Sequence, residues 1–148
     1  MTIETYRNII ANKTKSFEHA GITHDCDLPS SLFDHQRVGV EFALRAGRSA
    51  MFYDTGLGKT AMALSWADQI IRNTNKPLLM MAPLAVGPQH VREAARIGID
   101  AKVIRDQSDV SGSVVHVLNY DRLDKIDVSA FGGVILDESS ILKSFKYF

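Results

Sequence analysis

The chain has 148 residues, enough for one domain with a core, and equal numbers of basic and acidic side chains, 17 each, so its formal net charge is zero. That balance argues against a dedicated nucleic-acid binder, which is usually basic overall, but leaves room for basic residues gathered on one face. The single cysteine, Cys26, excludes an internal disulfide, no apolar run is long enough to span a membrane, and the polar opening residues do not read as a secretory leader.

In chain order, residues 4–17 predict a helix with Ile3, Tyr6, Ile10 and Phe17 on one broad face and Arg7, Lys13 and Lys15 mostly outside it. That face can pack on the rest of the domain or lie against nucleic acid; packing is the commoner use. Residues 19–29 read as a loop. His24, Asp25, Cys26 and Asp27 lie in it, but structural zinc wants four ligands, often as paired Cys or His, so a solvated loop is the better reading. A helix is expected over 35–46, with Asp34 as N-cap and Gly47 as its stop. The apolar run 49–53 reads as a buried strand, followed by Gly56 and Gly58 and then a breaker-free helix over 59–71. Strands are expected at 78–82, 101–105 and 114–118, with a helix starting near Pro88, a favoured first helical position. Turns are expected at 108–113 and 131–133, and a last apolar strand from Gly133 ends in Asp137 and Glu138. This alternation predicts an α/β fold: a mainly parallel sheet flanked by helices.

Two stretches carry chemistry. In Asp54-Thr-Gly-Leu-Gly-Lys-Thr60, strand, glycine turn and helix follow one another as a phosphate-binding (Walker A) loop requires. Backbone N–H groups of Thr55, Gly56, Leu57 and Gly58, with the helix N-terminus behind them, offer positive potential to phosphate oxygens. Lys59 is placed to reach the terminal phosphates of ATP, and Thr60 to put its hydroxyl on Mg²⁺. The general pattern has Gly where this chain has Tyr53. In the second stretch, Leu136-Asp-Glu-Ser-Ser140, the strand delivers two acids to the carboxyl edge of the sheet, where ligands gather. Asp137 suits Mg²⁺ and Glu138 suits a catalytic base for water. Alone, the pair could as well start a surface helix; with the glycine loop it points to ATP chemistry.

Together these stretches resemble the superfamily-two helicases and translocases, especially the Swi/Snf-type branch with its phage-encoded members. That group tolerates a non-glycine first loop position. Leu32-Phe-Asp-His-Gln36 is similar to the upstream motif whose glutamine reads adenine. Met80-Met-Ala-Pro-Leu84, with Glu93, resembles a strand and loop beside nucleic acid; the group often has Trp where His90 stands. Val115-His-Val-Leu-Asn-Tyr120 resembles another such strand. The resemblance spans about residues 32–143. It implies a RecA-like ATP-binding lobe over 32–148, incomplete at the C-terminus, with residues 1–31 as an N-terminal helix and loop. It makes Pro83, Leu84, Asn119 and Tyr120 candidates for contact with DNA, or alternatively RNA. It also implies a second helicase lobe or partner chain, and the cytoplasm of a bacterium or phage-infected cell. Lys143 and Lys146, among Phe145, Tyr147 and Phe148, form a basic-aromatic end that could touch nucleic acid, fray or dock.

The group's next motif, Ser/Thr-Ala-Thr, is absent from the 148 residues. In the group its strand lies between the glycine-loop strand and the Asp-Glu strand. Either those two strands pair directly here, or the chain is a fragment, or something else fills the gap. The expected function is the ATP-binding lobe of a DNA-dependent ATPase or helicase, inactive or very slow alone. The alternative is a regulatory nucleotide-binding protein without turnover. A small-molecule kinase shares the glycine loop but fits Asp-Glu-Ser-Ser less well.

Overall fold

The computed structural model describes residues 2–4 and 20–139. The helix expected over 4–17 lies almost wholly outside these residues, as do Ser140 and the basic-aromatic end.

Among the described residues, β1 (Leu78–Ala82), β2 (Ala101–Val103), β3 (Val115–Asn119) and β4 (Gly133–Leu136) form one sheet in the order β2-β3-β1-β4. Every neighbouring pair is parallel. Helices α1 (Asp34–Ala46), α2 (Lys59–Thr74) and α3 (Gly87–Arg96) pack around it. The central strand β1 is apolar throughout because it is buried on both faces, as parallel strands under helices are. On one face Leu78, Met80, Val115 and Val117 meet Leu64 and Ala67 of α2 and Ala94 of α3. On the other, Leu79, Met81 and Leu118 meet Tyr120, Ile126 and Phe131 from the link into β4. A third cluster joins Leu28 and Leu32 to Val40 and Leu44 of α1 and Met62 of α2. Full burial of each such Leu or Met stabilises the fold by about 1.5–3 kcal/mol.

Helix starts and stops follow local chemistry. Phe33, in extended conformation, is the N-cap of α1, and Asp34 is the first helical residue instead of the cap. The Phe33 N–H is taken by the side chain of Gln36 at 3.0 Å, so an amide at the third helical position does the capping. Gly47, at φ 73°, ends α1 and donates its N–H to Ala43. Helix α2 runs to Thr74, three residues past its expected end, and Asn75 closes it in left-handed conformation. Pro88 lies in the first turn of α3, as expected.

One expected element is corrected. Residues 49–53 form no strand among the described residues. Met51 and Tyr53 pack against the α1–α2 cluster, while Phe52 is 95% exposed. An apolar run is a strand only if a neighbour takes its backbone groups. Here β4 is an edge strand. Between it and residues 48–54 lies a cleft of about 860 Å³, lined also by Trp66. Direct pairing of the two segments is therefore not the arrangement adopted. Among the described residues nothing pairs with the outer edge of β4, and Val134 and Leu136 are 43% and 46% exposed.

Candidate functional site

The glycine loop follows from backbone conformation. Gly56 and Gly58 sit at φ 82° and 75°, left-handed values that strain any residue with a Cβ. A Cβ on Gly56 would meet nothing within 4 Å, so conformation alone requires glycine there. A Cβ on Gly58 would also run into the Gln36 amide. Gly58 is the N-cap of α2, so the loop empties into a helix N-terminus. The first N–H groups of a helix have no partner within it, and its N-terminal end is positive. Asp54 steadies the loop by accepting the Thr55 N–H at 2.8 Å. The Lys59 ammonium folds back to the carbonyls of Tyr53 at 2.9 Å and Asp54 at 3.2 Å. Thr60, half-buried, follows in the first turn of α2.

Gln36 is buried, and its amide is already in use. While Oε1 caps Phe33, Nε2 donates to the Leu57 carbonyl at 3.0 Å. The side chain thus fastens the start of α1 to the glycine loop. One N–H and one lone pair remain on it.

The acids come from the other wall of the cleft. Lys59, Asp54, Asp137 and Glu138 all line it. Asp137 is held from several sides. Its N–H donates to Met81 of β1 at 2.9 Å, and its carbonyl accepts the Tyr120 hydroxyl at 2.7 Å. Its Oδ2 lies 2.9 Å from His90 Nε2. Glu138 has φ 53°, an uncommon value for a residue with a Cβ. Its side chain is exposed and makes no hydrogen bond to the described residues.

Tyr120, a candidate for nucleic-acid contact, is only 5% exposed, with its hydroxyl committed to Asp137. Burial, and then the nearby carboxylates of Asp137 and Glu138, push its phenol up to about 12. It supports the acidic turn from beneath and offers no surface to a strand of nucleic acid. Pro83 and Leu84 follow β1, and Asn119 ends β3. Register pairs Ala82 with Asn119 and Met81 with Leu136, so these residues share the carboxyl edge of the sheet with Asp137. Leu84 is 73% exposed there, but neither it nor Asn119 lines the cleft.

His24, Asp25, Cys26 and Asp27 do not converge on a metal; no cluster of three or more such ligands exists among the described residues. Instead His24 Nε2 meets the Asn73 amide at 3.3 Å, and the Asp27 carbonyl accepts from Gln69 at 2.8 Å. No described helix is long and apolar enough to cross a membrane.

Sequence reasoning singled out His90 only as a departure from the group's Trp. Its contact with Asp137 spans 47 positions. The local signal was its place in α3, where it is buried with Gly87 and Ala94 on one face.

No protein-family profile matches the whole chain or part of it. Curated relatives do match. The chain is 33% identical over 132 residues to the SWI/SNF-related matrix-associated actin-dependent regulator of chromatin subfamily A-like protein 1 of Xenopus tropicalis, covering 82% of this chain. It is 30% identical over 145 residues to the Xenopus laevis protein of that name, covering 87% of this chain. It spans only 14% of the length of each. Among solved structures, the Sulfolobus solfataricus SWI2/SNF2 ATPase core in complex with dsDNA superposes with a TM-score of 0.66 at 18% identity. That match covers 84% of this chain and 30% of the other. The α/β sheet is thus a RecA-like helicase lobe, and sequence relatives and fold together place the chain with the Swi/Snf-like proteins of superfamily two.

Proposed function

We propose that the chain is the ATP-binding lobe of a DNA-dependent ATPase or translocase, and that Mg·ATP binds in the cleft between the glycine loop and the end of β4. The observation that carries this reading is the convergence of Lys59 with Asp137 and Glu138 on one cleft, from segments far apart in sequence. The residues fit the ligand. Left-handed Gly56 leaves open space before a helix N-terminus, and the Lys59 ammonium rests on two loop carbonyls that an anion can outcompete.

In this reading the amides of Gly56, Leu57 and Gly58, and that of Thr55 once it exchanges the Asp54 carboxylate for phosphate, cradle the phosphates, and Lys59 neutralises the terminal ones. Thr60 and Asp137 are the groups that would hold Mg²⁺, which supplies charge neutralisation on the phosphate oxygens. Glu138 orients the attacking water and takes its proton. The spare N–H and lone pair of Gln36 are matched to adenine N7 and N6. Pro83, Leu84 and Asn119 face the nucleic acid. The dsDNA in the related ATPase core favours DNA over RNA as the partner.

Turnover by this chain alone is expected to be very slow. Transition-state charge in such hydrolases is met by an arginine worth about 10³–10⁵ in rate, supplied in the group by a second lobe or partner chain. Among the described residues nothing pairs with the outer edge of β4 or hydrogen-bonds the Glu138 side chain, which acts in the same direction, since a misplacement of about 1 Å costs about 10²-fold. The test is phosphate release by the purified chain, with and without single- and double-stranded DNA, against Glu138→Gln as background. Release at the level of that variant is expected. Robust DNA-stimulated release that vanishes in Glu138→Gln would show the chain to be a complete ATPase.

A further inference from the structure

We infer that His90 is a positioning residue for Asp137, setting which carboxylate oxygen is offered to the metal of a bound nucleotide. The inference rests on the nucleotide reading of the cleft.

The backbone of Asp137 is fixed by Met81 and Tyr120, which hold its N–H and its carbonyl. What those bonds leave free is the rotation of the carboxylate. His90 supplies that constraint. Its Nε2 lies 2.9 Å from Oδ2, and its side chain is 4% exposed against 27% for Asp137. A carboxylate can only accept, so Nε2 carries the proton. The other ring nitrogen, Nδ1, is buried and has no hydrogen-bond partner among the described residues. A leucine or phenylalanine at this inward face of α3 would fill similar space without that unsatisfied atom. Core packing therefore does not account for a histidine here, and the bond to Asp137 does.

The bond has a direction. It occupies Oδ2 alone, so Oδ1 is left for a cation or its water. Groups that hydrogen-bond a ligating carboxylate fix its orientation, and their loss typically costs about 10–100-fold in metal affinity or activity. Among the described residues His90 hydrogen-bonds Asp137 and not the glycine loop, so its effect is expected on the metal side of the site.

The experiment uses the full chain with ADP as nucleotide and Mn²⁺ as the probe metal, free Mn²⁺ being read by electron paramagnetic resonance. His90→Leu removes the donor and keeps apolar volume; His90→Gln puts an amide N–H near the Nε2 position. Expected is a loss of about 10–100-fold in Mn²⁺ affinity for His90→Leu and recovery to within about threefold of wild type for His90→Gln. ADP affinity in excess EDTA should be equal in all three proteins, which a general loss of structure would not allow. Equal Mn²⁺ affinity in wild type and His90→Leu, or no recovery in His90→Gln, overturns the inference. If the wild type binds ADP under neither condition, the nucleotide reading itself falls. Should His90→Leu not fold, imidazole ¹⁵N spectra of the wild type decide. A protonated Nε2 whose signal moves with Mg²⁺ and ADP, and not with ADP alone, supports the assignment; an unmoved signal or a protonated Nδ1 overturns it.

Discussion

Short, directional bonds fix the glycine loop to the start of α1, and Gln36 shows how one side chain can serve two ends. Its Oε1 caps α1 and its Nε2 holds the Leu57 carbonyl. Loss of a helix cap typically costs about 1 kcal/mol. Gln36→Ala should therefore lower unfolding stability by about 1 kcal/mol with no nucleotide present, and should also erode any preference for ATP over GTP. Urea denaturation and a competition titration measure the two separately. Unchanged stability would mean that the amide bonds contribute nothing to the fold. His116 offers a second test. Fully buried in β3, it lies within hydrogen-bond distance of the Val114 carbonyl, and its Nε2 accepts the Ser111 N–H. Burial, then the charge of Lys102, holds its ring below the usual 6.5. In the window below 6.5 the unfolded chain binds more protons than the folded one. The contribution of His116 is thus fully present above that pH and is lost as pH falls through the folded value. Melting temperature should decline from pH 7 towards pH 5 more steeply in the wild type than in His116→Gln. Parallel profiles would contradict this.

At the scale of elements, the sheet order makes β1 an interior strand and β4 an edge. Leu79 on β1 is fully buried, while Val134 on β4 is 43% exposed. Leu79→Ala should cost about 2–5 kcal/mol, and Val134→Thr about 0.5 kcal/mol or less. A large loss from Val134→Thr would show that β4 is covered in solution. What could be read beforehand divides along the same line. The glycine loop was legible because its whole signal lies within Asp54 to Thr60, where φ and side-chain chemistry are local. The strands 78–82 and 133–136 were legible from continuous apolar runs. Residues 49–53 carry the same kind of run but lack a ladder, because a run does not state which strand stands beside it. The Tyr120 and His90 contacts with Asp137 were illegible for a related reason: they depend on which strand ends and helix faces the sheet order brings together.

For the molecule as a whole, the cleft separates two sets of residues that the ligand would join. The glycine loop rides on α2, while Asp137 is tied to β1, Tyr120 and α3. Nucleotide bridging both walls should raise the melting temperature, since binding to the folded state alone stabilises it by mass action. In the proposed site this bridging runs through the phosphate loop. Isothermal titration of Mg·ADP into the wild type and Lys59→Ala tests it most directly. Saturable one-to-one binding by the wild type and loss of most affinity in Lys59→Ala are expected, with the variant still folded by circular dichroism. Equal affinity in the two proteins, or no binding by the wild type, would contradict it.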